Sequence, residues 1–169
     1  MLRQQMTKRL SRRKPELEDR FIDPIEARKK AMDYLARREH GLSELTRKLT
    51  TFGFDADVAQ DAVAQLVDDG LQSDERFTEA FIRSRINQGK GPARIRADLR
   101  EKGIGDGVIA AGLEDAGQSW YDLAVEVRFK KFGAASPRDY KEKARQMRFL
   151  QSRGFEQDHI QVAVSAGDD

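Results

Sequence analysis

Cysteine is absent from the 169 residues of this chain. The chain therefore has no disulfide framework, no thiolate nucleophile and no cysteine-ligated zinc or iron–sulfur site. Proline is scarce, with 4 residues, whereas 36% of the residues are charged. Few prolines and many charged side chains favour exposed helices over a sandwich of β-sheets.

Long apolar runs are missing as well. No stretch approaches the roughly 20 apolar residues that a membrane-spanning helix needs. The N-terminus is basic, but no apolar core of the kind found in signal peptides follows it. We therefore expect no contact with a membrane and a location in the cytoplasm, whose reducing conditions also suit a chain without cysteine.

Groups that commonly carry catalysis are rare. Histidine occurs only at His40 and His159, which are far apart in sequence, and we expect both to be surface or half-buried side chains rather than metal ligands. The glycine-rich turn at residues 89–92 lacks the pattern of a phosphate-binding loop, and the glycines at 103–107 join two predicted helices. The sequence thus predicts no enzyme activity, no metal and no cofactor.

The residues that are present follow the period of an α-helix and repeat about every 50 positions. The segment Leu49-x-x-x-Gly53-Phe54 recurs as Leu99-x-x-x-Gly103-Ile104 and again as Leu150-x-x-x-Gly154-Phe155. Glycine after an apolar helical stripe is typical of a helix end, because it adopts positive φ without strain. A unit of this length is too small to bury its apolar face alone, so neighbouring units should pack in series.

This pattern predicts an all-α protein with three tandem three-helix repeats that form an elongated, curved array. We expect a basic flexible tail over residues 1–22, followed by three-helix repeats over 23–70, 71–117 and 118–169. The first ordered helix should begin at Asp23-Pro24, where an N-cap aspartate precedes proline at the first helical position. We expect the protein to be a monomer.

Basic residues are concentrated in the second and third repeats, although the net charge of the whole chain is only +2. In the third repeat, Ser136-Pro137 is expected to start a helix with Tyr140, Ala144, Met147 and Leu150 on its apolar stripe. A separate row on that helix comprises Arg138, Lys141, Arg145 and Arg148. Like charges four residues apart on a helix cost about 0.2–0.5 kcal/mol per pair, so such a row indicates a binding partner or compensating acids.

The second repeat has a similar group, in which Lys90 and Arg94 occupy the register positions of Lys141 and Arg145. Arg96 and Arg100 add a second pair on the same predicted helix. Ordinary surface ion pairs, such as Arg94 with Asp98, are the alternative interpretation for any single residue. The candidate residues for binding a partner or DNA are Arg85, Lys90, Arg94, Arg96, Arg100, Arg138, Lys141, Arg145 and Arg148.

Residues 74–104, DERFTEAFIRSRINQGKGPARIRADLREKGI, resemble the central repeat of the RecX family, whose members regulate the RecA recombinase. Residues 36–49, ARREHGLSELTRKL, are similar to the first repeat of that family. The resemblance spans residues 24–166 and is weaker in the third repeat. The residues of the central repeat that carry the resemblance are Asp74, Phe77, Phe81, Arg85, the turn 89–92, Arg94, Ile95, Leu99, Gly103 and Ile104.

The resemblance implies a regulatory protein that binds in the groove of the RecA nucleoprotein filament. It also implies that filament extension, ATP hydrolysis and strand exchange are restrained in recombination, DNA repair and the SOS response, and that no catalytic residues exist to be assigned. The partners expected on this basis are the RecA filament and single- or double-stranded DNA. An alternative function is that of a helical DNA-binding protein that acts by competing for DNA.

Overall fold

The computed structural model of this protein describes residues 19–166. Within that range the regular structure is entirely α-helical, which confirms the predicted fold class of three-helix repeats in tandem. The helices are α1 (Pro24–Arg37), α2 (Leu42–Phe52), α3 (Ala56–Asp68), α4 (Asp74–Asn87), α5 (Pro92–Glu101), α6 (Asp106–Asp115), α7 (Trp120–Phe132), α8 (Tyr140–Ser152) and α9 (Gln157–Ser165).

The second helix of each repeat ends in the same way. The buried leucines of the repeated motif are Leu49, Leu99 and Leu150. The glycine four residues later has φ of 130°, 80° and 97° in the first, second and third repeats. The next amide donates to the leucine carbonyl at 3.0, 3.1 and 3.2 Å in the same order. This closure satisfies a carbonyl that a helix end otherwise leaves unpaired, and it turns the chain towards the third helix.

Helices α1 to α3 belong to one compact unit of the chain, which ends at Ser73. Asp23 caps α1 as predicted, because its carboxylate accepts from the Ile25 amide at 2.9 Å and Pro24 follows it. Of the predicted tail over residues 1–22, residues 1–18 lie outside the described range. Phe21 packs edge-on against Phe54 in this unit, with 5.5 Å between ring centroids.

Helices α4 to α9 belong to a second compact unit, so the second and third repeats are packed together. Each repeat has its own buried apolar cluster, and the partly buried side chains of Ile86 and Trp120 pack against both clusters. The backbone also joins the repeats. The Gly91 amide donates to the Arg153 carbonyl at 2.8 Å, and the Ala93 amide donates to the Gly154 carbonyl at 3.0 Å.

The third repeat departs from the prediction at the start of α8. This helix begins at Tyr140 rather than at Pro137, because Asp139 is the N-cap and its carboxylate accepts from the Glu142 amide at 2.8 Å. Tyr140 was expected on the apolar stripe, but it is 86% exposed. Gln146 is buried on the inner side of α8 instead, beside the fully buried Leu150.

Gln146 is buried because it faces a buried arginine that the sequence analysis did not single out. Arg128 on α7 is only 4% exposed, and its Nε donates to Gln146 Oε1 at 2.9 Å. Its two terminal nitrogens donate to the carbonyls of Gly133 and Ala135, at 3.3 and 2.5 Å. Arg128 thereby fixes the loop that leads into α8.

Candidate anion-binding surface

The turn between α4 and α5 places several cations close together. We define the turn cluster as Arg85, Lys90, Arg94 and Arg153. The Lys90 amide donates to the Arg85 carbonyl at 3.0 Å, which folds the turn back over the end of α4. Gly89 has φ of +73°, and a Cβ atom built there would lie only 2.9 Å from Val127 Cγ2. The turn therefore needs glycine for its conformation and for its close approach to α7.

Lys90 is half-buried and makes no ion pair with any described residue. Its pKa lies below the usual lysine range, mainly because burial removes water from the ammonium group. Repulsion from Arg153 and Arg94 lowers the pKa further, and the carboxylate of Asp98 opposes this effect. A bound anion would relieve the repulsion, so the turn cluster is arranged to gain stability from a negatively charged partner.

The other members of the turn cluster are held by their neighbours. The Arg85 guanidinium carbon lies 4.2 Å from the centroid of the Phe81 ring. Arg94 Nε lies 3.4 Å from Asp98 Oδ1, which is the surface pair expected from the sequence. Asp98 is the one carboxylate whose influence opposes the repulsion at Lys90. The cluster thus keeps a surplus of positive charge at the surface.

A second group of cations lies on and beside α8. Lys141, Arg145 and Arg148 are exposed on this helix, whereas Arg138 lies in the bend before it. Arg145 is engaged, because its Nε lies 3.4 Å from Glu142 Oε2 and its guanidinium carbon lies 5.3 Å from the Phe132 ring centroid. The other three cations form no ion pair within residues 19–166 and remain available to a partner.

The two remaining candidates hold structural ion pairs. Arg96 Nη1 lies 3.1 Å from Glu156 Oε1, so this pair links the second repeat to the third. Arg100 Nε lies 2.8 Å from Asp106 Oδ1, which joins α5 to the start of α6. A partner that binds Arg96 or Arg100 has to compete with these carboxylates.

Beside the turn cluster is a cavity of about 800 Å³ between the second and third repeats. Its cationic lining consists of Lys130 and Lys131, at the end of α7, and Arg153. None of the three belongs to the basic residues that the sequence predicted for binding. The repeat register indicates Arg153, because it directly precedes Gly154 of the repeated motif, at the position where the second repeat has Lys102 before Gly103.

Family models match the three helical repeats in order. The first three-helix domain of RecX matches residues 27–66, the second matches residues 73–113 and the third matches residues 119–164. The chain belongs to the RecX family. The resemblance noted from residues 74–104 is confirmed.

Relatives match over most of their length. The regulatory protein RecX of Halorhodospira halophila is 44% identical over 139 residues, which is 82% of this chain and 86% of that protein. The regulatory protein RecX of Pseudomonas putida is 41% identical over 145 residues, which is 86% of this chain and 93% of that protein. These relatives are named as regulatory proteins, and the RecX family to which the chain belongs is a family of regulators rather than of enzymes.

A crystal structure of RecX from Lactobacillus salivarius has the same fold. It superposes with a TM-score of 0.72 at 22% sequence identity, and the match covers 89% of this chain and 98% of that chain. At this level of identity the likeness concerns the arrangement of helices alone. Among the residues that the structure describes, no helix is long and apolar enough to cross a membrane.

The two histidines of this RecX-family chain are buried, rather than surface or half-buried as expected. His40 is 2% exposed, and burial is the main reason why its pKa lies below the usual value of 6.5. His159 is 6% exposed, and its Nδ1 accepts from the Glu156 amide at 3.2 Å. Potential ligand atoms of Glu156, Asp158 and His159 lie within 4.8 Å of one another.

Each member of this group already has a partner. Glu156 holds Arg96, and Asp158 Oδ2 accepts from the Tyr121 hydroxyl at 2.7 Å. That hydrogen bond is the main reason why the pKa of Asp158 is lowered. The observed contacts give the group a structural role at the start of α9, where His159 completes a capping box with Glu156.

Proposed function

We propose that this RecX-family protein binds the RecA nucleoprotein filament as a monomer in the cytoplasm and restrains filament extension, ATP hydrolysis and strand exchange. Family membership supports a regulatory role, and the arrangement of cations supports a partner that carries negative charge. The observation that carries the proposal is the turn cluster, where the hydrogen bond from the Gly91 amide to the Arg153 carbonyl brings Arg153 to the turn that holds Lys90, and where Asp98 is already engaged with Arg94.

A nucleoprotein filament offers two kinds of acidic surface, the phosphates of its DNA and the acidic side chains of its protein. Cations that neutralise phosphates release condensed counterions, which provides a favourable and salt-dependent contribution to binding. The turn cluster and the cations of α8 belong to the same compact unit. Because backbone hydrogen bonds join the two repeats of this unit at Gly91 and Gly154, one partner can contact both groups without first bringing the repeats together.

The test is the DNA-dependent ATPase activity of RecA, measured with increasing amounts of the purified protein. We expect ATP hydrolysis to fall, and the purified protein alone to hydrolyse no ATP. Electron microscopy of the same samples should show shorter filaments. An unchanged ATPase rate at an excess of the protein over RecA would reject the proposed function.

The presence of unpaired cations also favours a second candidate, namely a DNA-binding protein that displaces RecA by competition. The two mechanisms differ in stoichiometry and in their response to salt. Pure competition for phosphates requires enough protein to cover the DNA, and it weakens steeply as salt is raised. Inhibition that persists below one protein per RecA protomer at moderate salt supports filament binding instead.

A further inference from the structure

The cavity between the second and third repeats combines an apolar floor with a polar rim. Buried side chains of Leu123 and Val127 form part of the floor, together with the half-buried Ile86 and Phe149. Its volume of about 800 Å³ lies within the range of about 300–1,000 Å³ that is usual for small-molecule sites. A site that bound only phosphate would need cations but no apolar floor, so the cavity suits a ligand that also has an apolar part.

Two cations lie close to the ring of Phe149 at one side of the cavity. Lys131 Nζ is 5.6 Å from the centroid of its ring, and the guanidinium carbon of Arg153 is 5.5 Å from the same centroid. The ring of Phe132 packs edge-on against Phe149 at 5.3 Å and fixes its orientation. An aromatic ring with cations beside it is the arrangement on which single-stranded nucleic-acid binders stack bases.

Hydrogen-bonding groups complete the rim. Arg153 Nε is buried and has no hydrogen-bond partner within the described range, which is costly for a cationic donor. The amide side chains of Asn87, Gln88 and Gln118 also line the cavity. The NH₂ groups of Gln88 and Gln118 each donate one hydrogen bond, to Ser84 Oγ and to the Ser119 carbonyl, at 3.4 and 2.9 Å. Each amide therefore keeps a second N–H donor and its carbonyl oxygen for a ligand.

We propose that this cavity binds one unstacked base of single-stranded nucleic acid, with the base against Phe149 and the adjoining phosphate at Lys131 and Arg153. The amides of the rim match the mixed donors and acceptors of a base edge. An acidic side chain would pair with the cations, but it has no flat apolar face to lie against Phe149 and the floor of the cavity. The one carboxylate of the lining, Glu126, is paired with Lys130 at 3.0 Å and does not repel a phosphate strongly.

A site for a single-stranded base deepens the proposed function, because it names the class of nucleic acid that is bound. Only the role of this site within a RecA filament rests on the proposed function. The test therefore contains no RecA. Fluorescence anisotropy measures the Kd of the full chain for a labelled 12-nucleotide oligothymidylate and for an oligonucleotide of the same length in which every residue is abasic. Both probes carry the same number of phosphates, so only the bases differ.

We expect the oligothymidylate to bind about tenfold more tightly than the abasic probe, because stacking of a base on an aromatic ring typically contributes about that much. Phe149→Leu should abolish the difference, since leucine retains the apolar packing but removes the ring. The matched control is Phe129→Leu, because Phe129 is 56% exposed on α7 and lies outside the cavity lining. Lys131→Glu should weaken the binding of both probes, whereas Arg47→Glu, at an exposed position in the first unit, should weaken the binding of neither.

Equal affinity of the unaltered chain for the two probes would overturn the inference, as would an equal loss in the two phenylalanine variants. Competition by hexaglutamate as effective as that by the oligothymidylate would identify an acidic peptide as the ligand instead. A measurement that needs no variant is photo-crosslinking of 5-iodouracil placed in the oligonucleotide. We expect crosslinks within residues 147–153, and crosslinks confined to other segments would contradict the proposed site.

Discussion

Gly91 and Gly154 lie so close that neither position has room for a side chain. A Cβ atom built on Gly91 would lie 2.5 Å from the Phe155 amide nitrogen, and one built on Gly154 would lie 2.6 Å from the Arg94 amide nitrogen. Real Cβ atoms essentially never approach another heavy atom closer than 3.0 Å. This contact allows the backbone at the start of α5 to hydrogen-bond with the turn between α8 and α9.

The first prediction concerns this contact. Gly91→Ala should separate the two backbones and weaken the hydrogen bonds that Gly91 and Ala93 donate across it. Since Gly91 has an ordinary negative φ of −84°, the effect comes from the clash and not from backbone strain. We expect a loss of about 1–3 kcal/mol in the free energy of unfolding of the second unit. Urea denaturation followed by circular dichroism measures this loss.

Gly107→Ala is the matched control for that substitution. Gly107 lies in the first turn of α6, and no atom lies within 4 Å of the position where its Cβ would be. Alanine there should leave stability unchanged or raise it by about 0.4–1 kcal/mol, because it restricts the unfolded chain. Similar losses in both variants would show that the close approach of Gly91 contributes nothing specific.

The sequence was sufficient to predict the repeated helices because their apolar spacing and terminal glycines are local features. Leu49 and its counterparts in the later repeats are buried as the register requires, and Gly53 has the positive φ expected at a helix end. The contact between Gly91 and Gly154 is different. It joins residues far apart in the chain, and a single sequence carries no signal for which distant turn lies against which helix.

The cations were predicted less well, and the reason is again physical. Arg145 and Arg148 are both basic residues on one helix, but only Arg145 has a carboxylate and an aromatic ring within reach. Arg128 was overlooked because arginine is almost never fully buried unless it is paired. Its burial depends on carbonyl groups of a loop whose conformation the sequence does not reveal.

The second prediction tests the role of Arg128. Arg128→Met retains much of the side-chain volume but leaves Gln146 Oε1 and the carbonyls of Gly133 and Ala135 without their donor. Gln146 Oε1 is buried, and a buried acceptor without its donor costs about 1–3 kcal/mol, whereas the carbonyls of the exposed Gly133 and Ala135 can turn to water. We therefore expect a loss of about 1–3 kcal/mol in the free energy of unfolding. Faster amide hydrogen exchange in residues 133–139 should accompany it. Arg148→Met, at an exposed position, should change stability by no more than about 0.5 kcal/mol.

The third prediction concerns the pH dependence of stability through His40. In the folded chain His40 Nδ1 lies 3.0 Å from the Arg38 carbonyl and Nε2 lies 3.1 Å from Lys48 Nζ, an arrangement that suits the neutral ring. Burial is the largest cause of its lowered pKa, repulsion from Arg38 and Lys48 adds to it, and Glu44 opposes it. The unfolded chain therefore binds the proton more readily than the folded chain does.

It follows that the contribution of His40 to stability is fully present above about pH 6.5 and is lost as the pH falls towards the pKa of the folded state. The temperature at the midpoint of thermal unfolding, followed by circular dichroism, should decrease when the pH is lowered from 7.5 to 5.5 in the unaltered chain. His40→Gln should be less stable at pH 7.5 but should show a smaller fall over the same interval. An identical fall in both proteins would assign the pH dependence to other groups.

The fourth prediction separates a binding role of the α8 cations from a merely solvated one. Lys141 and Arg148 are exposed and form no ion pair within the described residues, so Lys141→Glu with Arg148→Glu should alter stability by no more than about 0.5 kcal/mol. The original row also contained Arg145, but its contacts with Glu142 and Phe132 make it a poorer choice. Arg28 is likewise unsuitable as a control, because it pairs with Asp69 at 2.8 Å.

Arg37→Glu with Arg47→Glu in the first unit is the matched control, since both residues are exposed, form no ion pair within the described residues and lie outside the second unit. If the α8 cations contact phosphates of the filament, the double variant should bind RecA–DNA filaments at least about tenfold more weakly, and the slope of log K against log salt should fall by about 2. Inhibition of the RecA ATPase should be lost in parallel. A folded α8 variant that inhibits as well as the control would place the contact elsewhere, because reversing two charges at an interface with a polyanion cannot leave binding unchanged.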